Sequence, residues 1–144
     1  MRRNSKPSGV PKVQYLDANV FIFARVDTGN KGVAARKLLE KIENGQLSAA
    51  TCVLTADEVI WAVRRELKSY EKAIEWCERI LVLPIKVLAV NYADINQALN
   101  YMKSGKKPRD SIHAAVAINN GIKEIISDDP DFENIKGLKL KSLV

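Results

Sequence analysis

Val13-Gln14-Tyr15-Leu16-Asp17-Ala18-Asn19-Val20-Phe21 is the stretch on which the fold turns. Val13, Tyr15 and Leu16 form a short apolar run that stops at Asp17, as a strand does. Asn19 to Val26 then reads as a helix, ended by the turn cluster Asp27-Thr28-Gly29-Asn30. The alternation continues downstream. A helix with Ala34, Ala35, Leu38, Leu39 and Ile42 at helical spacing closes at Gly45, and 49–53 reads as a second strand. Helices follow from Thr55 and over 69–80. Pro84 is ill suited to a central strand, so 86–90 is the next one. Asn91 caps a helix reaching Met102, and Pro108 starts another that ends at Asn120-Gly121. Ile125-Ile126 is strand-like, and 138–140 reads as a last edge strand. Short strands alternating with helices predict a three-layer α/β/α domain around a central, mostly parallel sheet of four to five strands.

Composition agrees with one ordered domain. The chain has 144 residues, 47% hydrophobic and 28% charged, which argues against disorder and low complexity. Residues 1–12 read as a basic, flexible tail and 13–144 as the domain. Cys52 and Cys77 form neither a C-x-x-C pair nor a secreted framework. They read as small core residues of a reducing compartment. No apolar run approaches the roughly 18 residues of a membrane span, and no apolar segment follows the basic start as in a secretory signal. The expected setting is cytoplasmic, away from membranes.

The net charge of +6 is unevenly placed. Residues 1–12 carry +4, and so does the run Lys103 to Arg109, which leaves −2 for the rest of the chain. A basic excess of this kind fits a polyanionic partner or a solvated surface. Lys106, Lys107 and Arg109, with Arg64 on an earlier helix, are the candidate phosphate contacts. Trp61 and Trp76 read as core or interface residues, because apolar neighbours surround both.

Four acids fall at carboxyl ends of strands or at the starts of the following helices: Asp17, Glu58, Asp110 and Asp129. Open α/β sheets build their sites along that edge. Carboxylates that converge there stay ionised together only with a cation. Mg²⁺ or Mn²⁺ would meet that need and would activate water against a phosphodiester. Each acid also has a structural reading. Thr55-Ala56-Asp57-Glu58 matches a capping box with Leu54 and Val59 as its staple, and Asp129-Pro130 matches an N-cap followed by a first-position proline. Asp110 suits a first helical turn and Asp17 suits a cap. The two roles are compatible, since a carboxylate has two oxygens. His113, the sole histidine, reads as a packed, hydrogen-bonded residue.

Three segments in this order carry a family resemblance: Tyr15-Leu16-Asp17-Ala18-Asn19-Val20-Phe21, then Arg109-Asp110-Ser111-Ile112-His113-Ala114-Ala115-Val116-Ala117, then Ile125-Ile126-Ser127-Asp128-Asp129-Pro130-Asp131-Phe132 with Ile135 and Gly137-Leu138. Through them the chain resembles the PIN-domain family, particularly its small single-domain VapC-type toxins. The resemblance implies a metal-dependent ribonuclease fold in which Asp17, Glu58, Asp110 and Asp129 are the four acidic positions that bind Mg²⁺ or Mn²⁺. Asn19, Ser127 and Asp131 match supporting polar positions. Asp57 and Asp128 are neighbours that compete for the assignment. The resemblance further implies an RNA substrate, a homodimer and a small antitoxin partner. The readings set against this toxin-like endoribonuclease are a PIN-like RNA-binding module without catalysis and a solitary RNA-processing nuclease. A carboxylate phosphoacceptor fits poorly, because Asp17-Ala18-Asn19 lacks the D-x-D of such enzymes.

Overall fold

Alternate residues of a buried strand must each find a helix layer, and the central strand shows this division. In the structure, a computed structural model that describes residues 12–144, Tyr15 and Leu16 of β1 (Val13–Leu16) are both fully buried, on opposite faces of the sheet. Leu16 packs with Val20, Phe21, Leu39, Ile42, Val59 and Val63, whereas Tyr15 packs with Ala114, Val116, Ile125 and Phe132. The next strands repeat the division: Ala49 and Ile126 join the first cluster, and Ala50 and Ile125 the second.

Chain order runs β1, α1 (Ala18–Val26), α2 (Asn30–Glu43), β2 (Ser48–Cys52), α3 (Leu54–Leu67), α4 (Tyr70–Leu81), β3 (Lys86–Leu88), α5 (Tyr92–Lys103), α6 (Pro108–Asn119), β4 (Glu124–Ile126) and β5 (Lys139–Lys141). A single 3₁₀ turn, Pro130–Phe132, follows β4. All four strand pairings are parallel, and the spatial order is β3-β2-β1-β4-β5. This is the expected α/β fold, with five strands and six helices among the described residues. The helices α1 to α4 supply the first cluster, and α5 and α6 cover the other face. The chain moves outward from β1 to β3 and then crosses to β4 on the other side of β1. The switch point therefore lies between the carboxyl ends of β1 and β4, where such folds place their sites. Pro84 indeed falls outside the sheet, and β3 is an edge strand.

Most helix boundaries fall within a residue or two of their predicted places, but one cap differs. Helix α3 starts at Leu54 with Val53 as its N-cap, so Thr55 already lies inside the first turn. Its hydroxyl sits 2.6 Å from that of Thr51, and Thr51 in turn donates to the Leu16 carbonyl at 2.9 Å. The capping box at Thr55–Glu58 is therefore absent, and Glu58 is released from a capping role. The carboxylate that does reach back to an N-cap amide is Asp94, which accepts from Asn91 N–H at 2.7 Å. Trp76 is partly buried and donates to the Phe21 carbonyl at 2.9 Å. Trp61 is not core: it is 60% exposed, with Arg65 stacked 4.6 Å from its ring centre. Both cysteines are buried and free, as expected. The basic stretch 1–11 lies outside the described residues. No helix among the described residues is long and apolar enough to cross a membrane.

The corner between α1 and α2 ties the two helices together and admits no side chain at Gly32. Asp27 Oδ2 accepts from Gly29 N–H at 3.0 Å and from Gly32 N–H at 2.7 Å, and Arg36 donates to the Asp27 carbonyl at 3.0 Å. A Cβ at Gly32 would stand 2.0 Å from that carbonyl oxygen, so backbone must move to accept it. Gly32→Ala is expected to lower the unfolding free energy by about 1–3 kcal/mol, as overpacking does. This is opposite in sign to the gain of roughly 1 kcal/mol that alanine ordinarily gives inside a helix. Urea denaturation measures it, and a stabilised variant would contradict the close approach.

Candidate metal centre

Parallel pairing places every strand's carboxyl end along one edge, which brings together acids that are far apart in sequence. Asp17 leaves β1 beside β4, and its N–H donates to the Ile126 carbonyl at 3.2 Å. It occupies the N-cap position of α1, yet its carboxylate makes no capping bond. Oδ2 instead accepts from the buried Ser127 hydroxyl at 2.8 Å, and Asp17 itself is only 2% exposed. The Ser127 hydroxyl oxygen also accepts from Asp129 N–H at 3.0 Å, which ties the post-β4 loop to β1. Asp129 caps the 3₁₀ turn through Oδ1, which accepts from Asp131 N–H at 2.9 Å. The cap expected from Asp129-Pro130 is thus present and uses one of the two oxygens.

Asp110 is the third residue of α6, after Pro108 in the first position. Its Oδ2 is buried and has no hydrogen-bond partner. Unpaired buried carboxylate oxygen is costly, and the energetic consequence is visible in the group's acidity. Burial first, then the charges of Asp129 and Asp17, and then a hydrogen bond of the protonated carboxyl with Asp129, push Asp110 up to about 7. Burial likewise raises Asp17; His113 and the Ser127 hydroxyl pull it back, and Glu58 adds to the rise. Two neighbouring acids that hold their protons abnormally tightly mark a place short of positive charge.

Asn19, Glu58, Lys107, Pro108, Arg109, Asp110 and Asp129 line one open cleft of about 570 Å³. Glu58 is the fifth residue of α3, just past the first turn expected for it, and Asp57 beside it is exposed. Asp128 faces elsewhere, in an ion pair with Lys31. Asp131 accepts from Lys107 N–H at 3.1 Å and so fastens the 3₁₀ turn to the start of α6. The candidate phosphate contacts divide. Lys107 and Arg109 line the cleft, whereas Lys106 donates to the Glu133 carbonyl at 2.9 Å. Arg64 stacks 4.7 Å from the Tyr70 ring centre, in a separate basic pocket with Arg65 and Lys68.

His113 is buried and hydrogen-bonded, as expected, but its partners carry more than packing. Nε2 lies 2.5 Å from Glu58 Oε1, and Nδ1 lies 2.6 Å from Tyr15 Oη. Burial opposes the charged ring. The hydrogen bonds to Cys52 and Glu58, with the charges of Glu58 and Asp17, outweigh it and push His113 up to about 10. Sequence patterns did not join Tyr15, Glu58 and His113, because each sits in its own apolar or helical period. The one local sign was a histidine three residues after Asp110, on the inner face of the same helix.

Among the described residues no group of three or more His, Cys, Asp or Glu side chains closes around a common point as they stand. The donor set nonetheless fits a hard divalent cation. It is all oxygen, one oxygen of Asp110 is buried without a partner, and the excess negative charge is expressed as proton retention.

The weakened acidity of Asp110 has a definite sign for stability. Folded Asp110 keeps its proton to about pH 7, while the unfolded chain releases it near the ordinary 3.8. Between those values the folded state binds more protons, so rising pH removes stability, and above about 7 the loss is complete. Without metal, the melting temperature of the parent should therefore fall more across this window than that of Asp110→Asn. Added Mn²⁺ should reverse the fall for the parent only. Parallel melting curves for the two proteins would contradict the assignment.

Comparison with known proteins agrees with this fold. The PIN domain matches residues 14–138. No curated protein matches the chain. Among solved structures, the DNA-bound VapBC of Salmonella typhimurium is similar with a TM-score of 0.71 at 17% identity, covering 94% of this chain and 100% of that one. VapC20 of Mycobacterium tuberculosis, a Sarcin-Ricin loop cleaving toxin, gives 0.70 at 14%, covering 83% and 92%. VapBC2 of Rickettsia felis, bound to a DNA fragment from its promoter, gives 0.69 at 14%, covering 90% and 98%. At such identities the likeness is one of fold. With nearly the whole domain matched and the acids on the expected sheet edge, the chain belongs to the PIN domain family.

Proposed function

We propose that this protein is a divalent-metal-dependent endoribonuclease that cleaves single-stranded RNA, acting as the toxin of a VapBC-like pair. The observation that carries this reading is the buried, unpartnered Asp110 Oδ2 facing Asp17 and Asp129 at the sheet's switch point. Asp17, Asp110 and Asp129 would hold Mg²⁺ or Mn²⁺, with Glu58 binding a second ion or orienting the attacking water. The metal supplies a polarised phosphoryl oxygen and a water acidic enough to attack near neutral pH.

The chain's own residues account for the rest. Ser127 holds Asp17 by Oδ2, which leaves Oδ1 as the oxygen that would take the metal. Asp129 caps with Oδ1 and keeps Oδ2 for the same purpose. Helices α1 and α6 begin at the site, and their N-terminal dipoles favour ionised carboxylates there. Lys107 and Arg109 on the cleft wall would take RNA phosphates and give a salt-dependent affinity. Asn19 lines the cleft, and Ser127 and Asp131 keep its loops in place. An antitoxin partner is supported by the fold likeness to VapBC structures and to a toxin-antitoxin complex from Klebsiella pneumoniae.

Cleavage of single-stranded RNA with Mn²⁺, with EDTA, and by Asp17→Asn and Asp110→Asn tests the reading. Activity should require metal and fall by at least about a hundredfold in either variant, in line with loss of metal-centred charge stabilisation. Lys107→Ala with Arg109→Ala should raise KM and flatten its salt dependence. Cleavage that persists in EDTA and in both aspartate variants would overturn the metal mechanism. RNA binding without cleavage would leave an RNA-binding module instead.

A further inference from the structure

Glu58 reaches the cleft from a helix that gives its side chain no backbone anchor, and a glutamate there has three rotatable bonds. What restrains it comes from the opposite face of the sheet. His113 is fully buried on α6, and its Nε2 stands 2.5 Å from Glu58 Oε1. Its Nδ1 is held 2.6 Å from the hydroxyl of Tyr15, itself fully buried on the central strand. The Tyr15 and His113 rings meet edge to face, with centres 5.6 Å apart, which fixes the imidazole plane. With a neutral ring, Tyr15 O–H donates to Nδ1 and Nε2–H donates to Glu58. With a charged ring, Nδ1–H donates to the Tyr15 oxygen and Nε2–H still donates to Glu58. The hold on Glu58 is the same in both forms.

We propose that Tyr15 and His113 are positioning residues that lock Glu58 Oε1 through a buried hydrogen-bonded chain and leave Oε2 as the oxygen presented to the cleft. This rests on the nuclease reading and assigns its least conspicuous acid a mechanism of placement. Fixing Glu58 in the folded protein means that its rotamer freedom is lost on folding and not again when metal or RNA binds. The chain also distinguishes Glu58 from its neighbour. Asp57 is exposed, and the bond from His113 Nε2 goes to Glu58. Groups of this kind, which hold a ligand by its far side, are worth about 10–100-fold in metal affinity or activity.

The test uses Tyr15→Phe, His113→Leu and His113→Gln, with Asp57→Asn as a surface control. Each protein is titrated with Mn²⁺ alone by calorimetry, and kcat and KM are measured on single-stranded RNA. Tyr15→Phe and His113→Leu should weaken Mn²⁺ binding and lower kcat by about 10–100-fold, with KM for RNA little changed. His113→Gln, whose amide still donates to Glu58, should recover part of the loss, and Asp57→Asn should match the parent. If the His113 variants do not fold, Tyr15→Phe decides, since it keeps the buried ring. A folded Tyr15→Phe that binds Mn²⁺ and cleaves RNA like an active parent would overturn the positioning role and leave the nuclease reading standing. A parent that neither binds Mn²⁺ nor cleaves RNA would remove both.

Discussion

The pair of bonds that fastens Asp17 to the end of β4 is the contact on which the site depends. Asp17 N–H donates to the Ile126 carbonyl, and Asp17 Oδ2 accepts from Ser127. Together they close the seam between β1 and β4, where the strand order reverses, and they fix a carboxylate that is almost wholly buried. Everything else around the cleft is arranged relative to that seam. The loop carrying Asp129 hangs from the same Ser127 hydroxyl, and α6 brings Asp110 against it from the other face. A protein that buries acids this way spends some stability on it, and a bound cation would return that stability.

The division of labour between the two faces of the sheet follows from the period-two pattern of β1. Leu16 points into the cluster built by α1 to α4, and Tyr15 into the one built with α6. Tyr15 therefore serves the core with its ring and the site with its hydroxyl. His113 does the same from α6, and Thr51 joins β2 to the Leu16 carbonyl and to Thr55. Polar groups inside this core are almost all spoken for. Asp110 Oδ2 is the exception among described side chains, and Asp110 is one of the residues that line the cleft.

Architecture was largely legible in the sequence, because strand and helix periods are local and the turn residues punctuate them. The acids' edge was legible too, since a residue directly after a strand can be placed by topology alone. What escaped was long-range. Thr55–Glu58 has the spacing of a capping box, but α3 starts two residues earlier than that box requires and Thr55 turns to Thr51 instead. The bond from His113 to Glu58 spans 55 residues and crosses the sheet, so no window of sequence contains it. Trp61 sits among apolar neighbours in sequence yet faces outward under Arg65. Charge behaved similarly: the basic run before Asp110 looked uniform, but Lys107 and Arg109 line the cleft while Lys106 binds the Glu133 carbonyl.

The central claim is that the acids at the switch point form a cation site. Anomalous diffraction from crystals soaked in Mn²⁺, collected at the manganese edge, tests it most directly. The expected result is a peak bounded by Asp17, Asp110 and Asp129, with Glu58 held by His113 at its margin. Manganese absent from that cleft, or bound only at other surface carboxylates such as Glu124 on the opposite edge of the sheet, would contradict it.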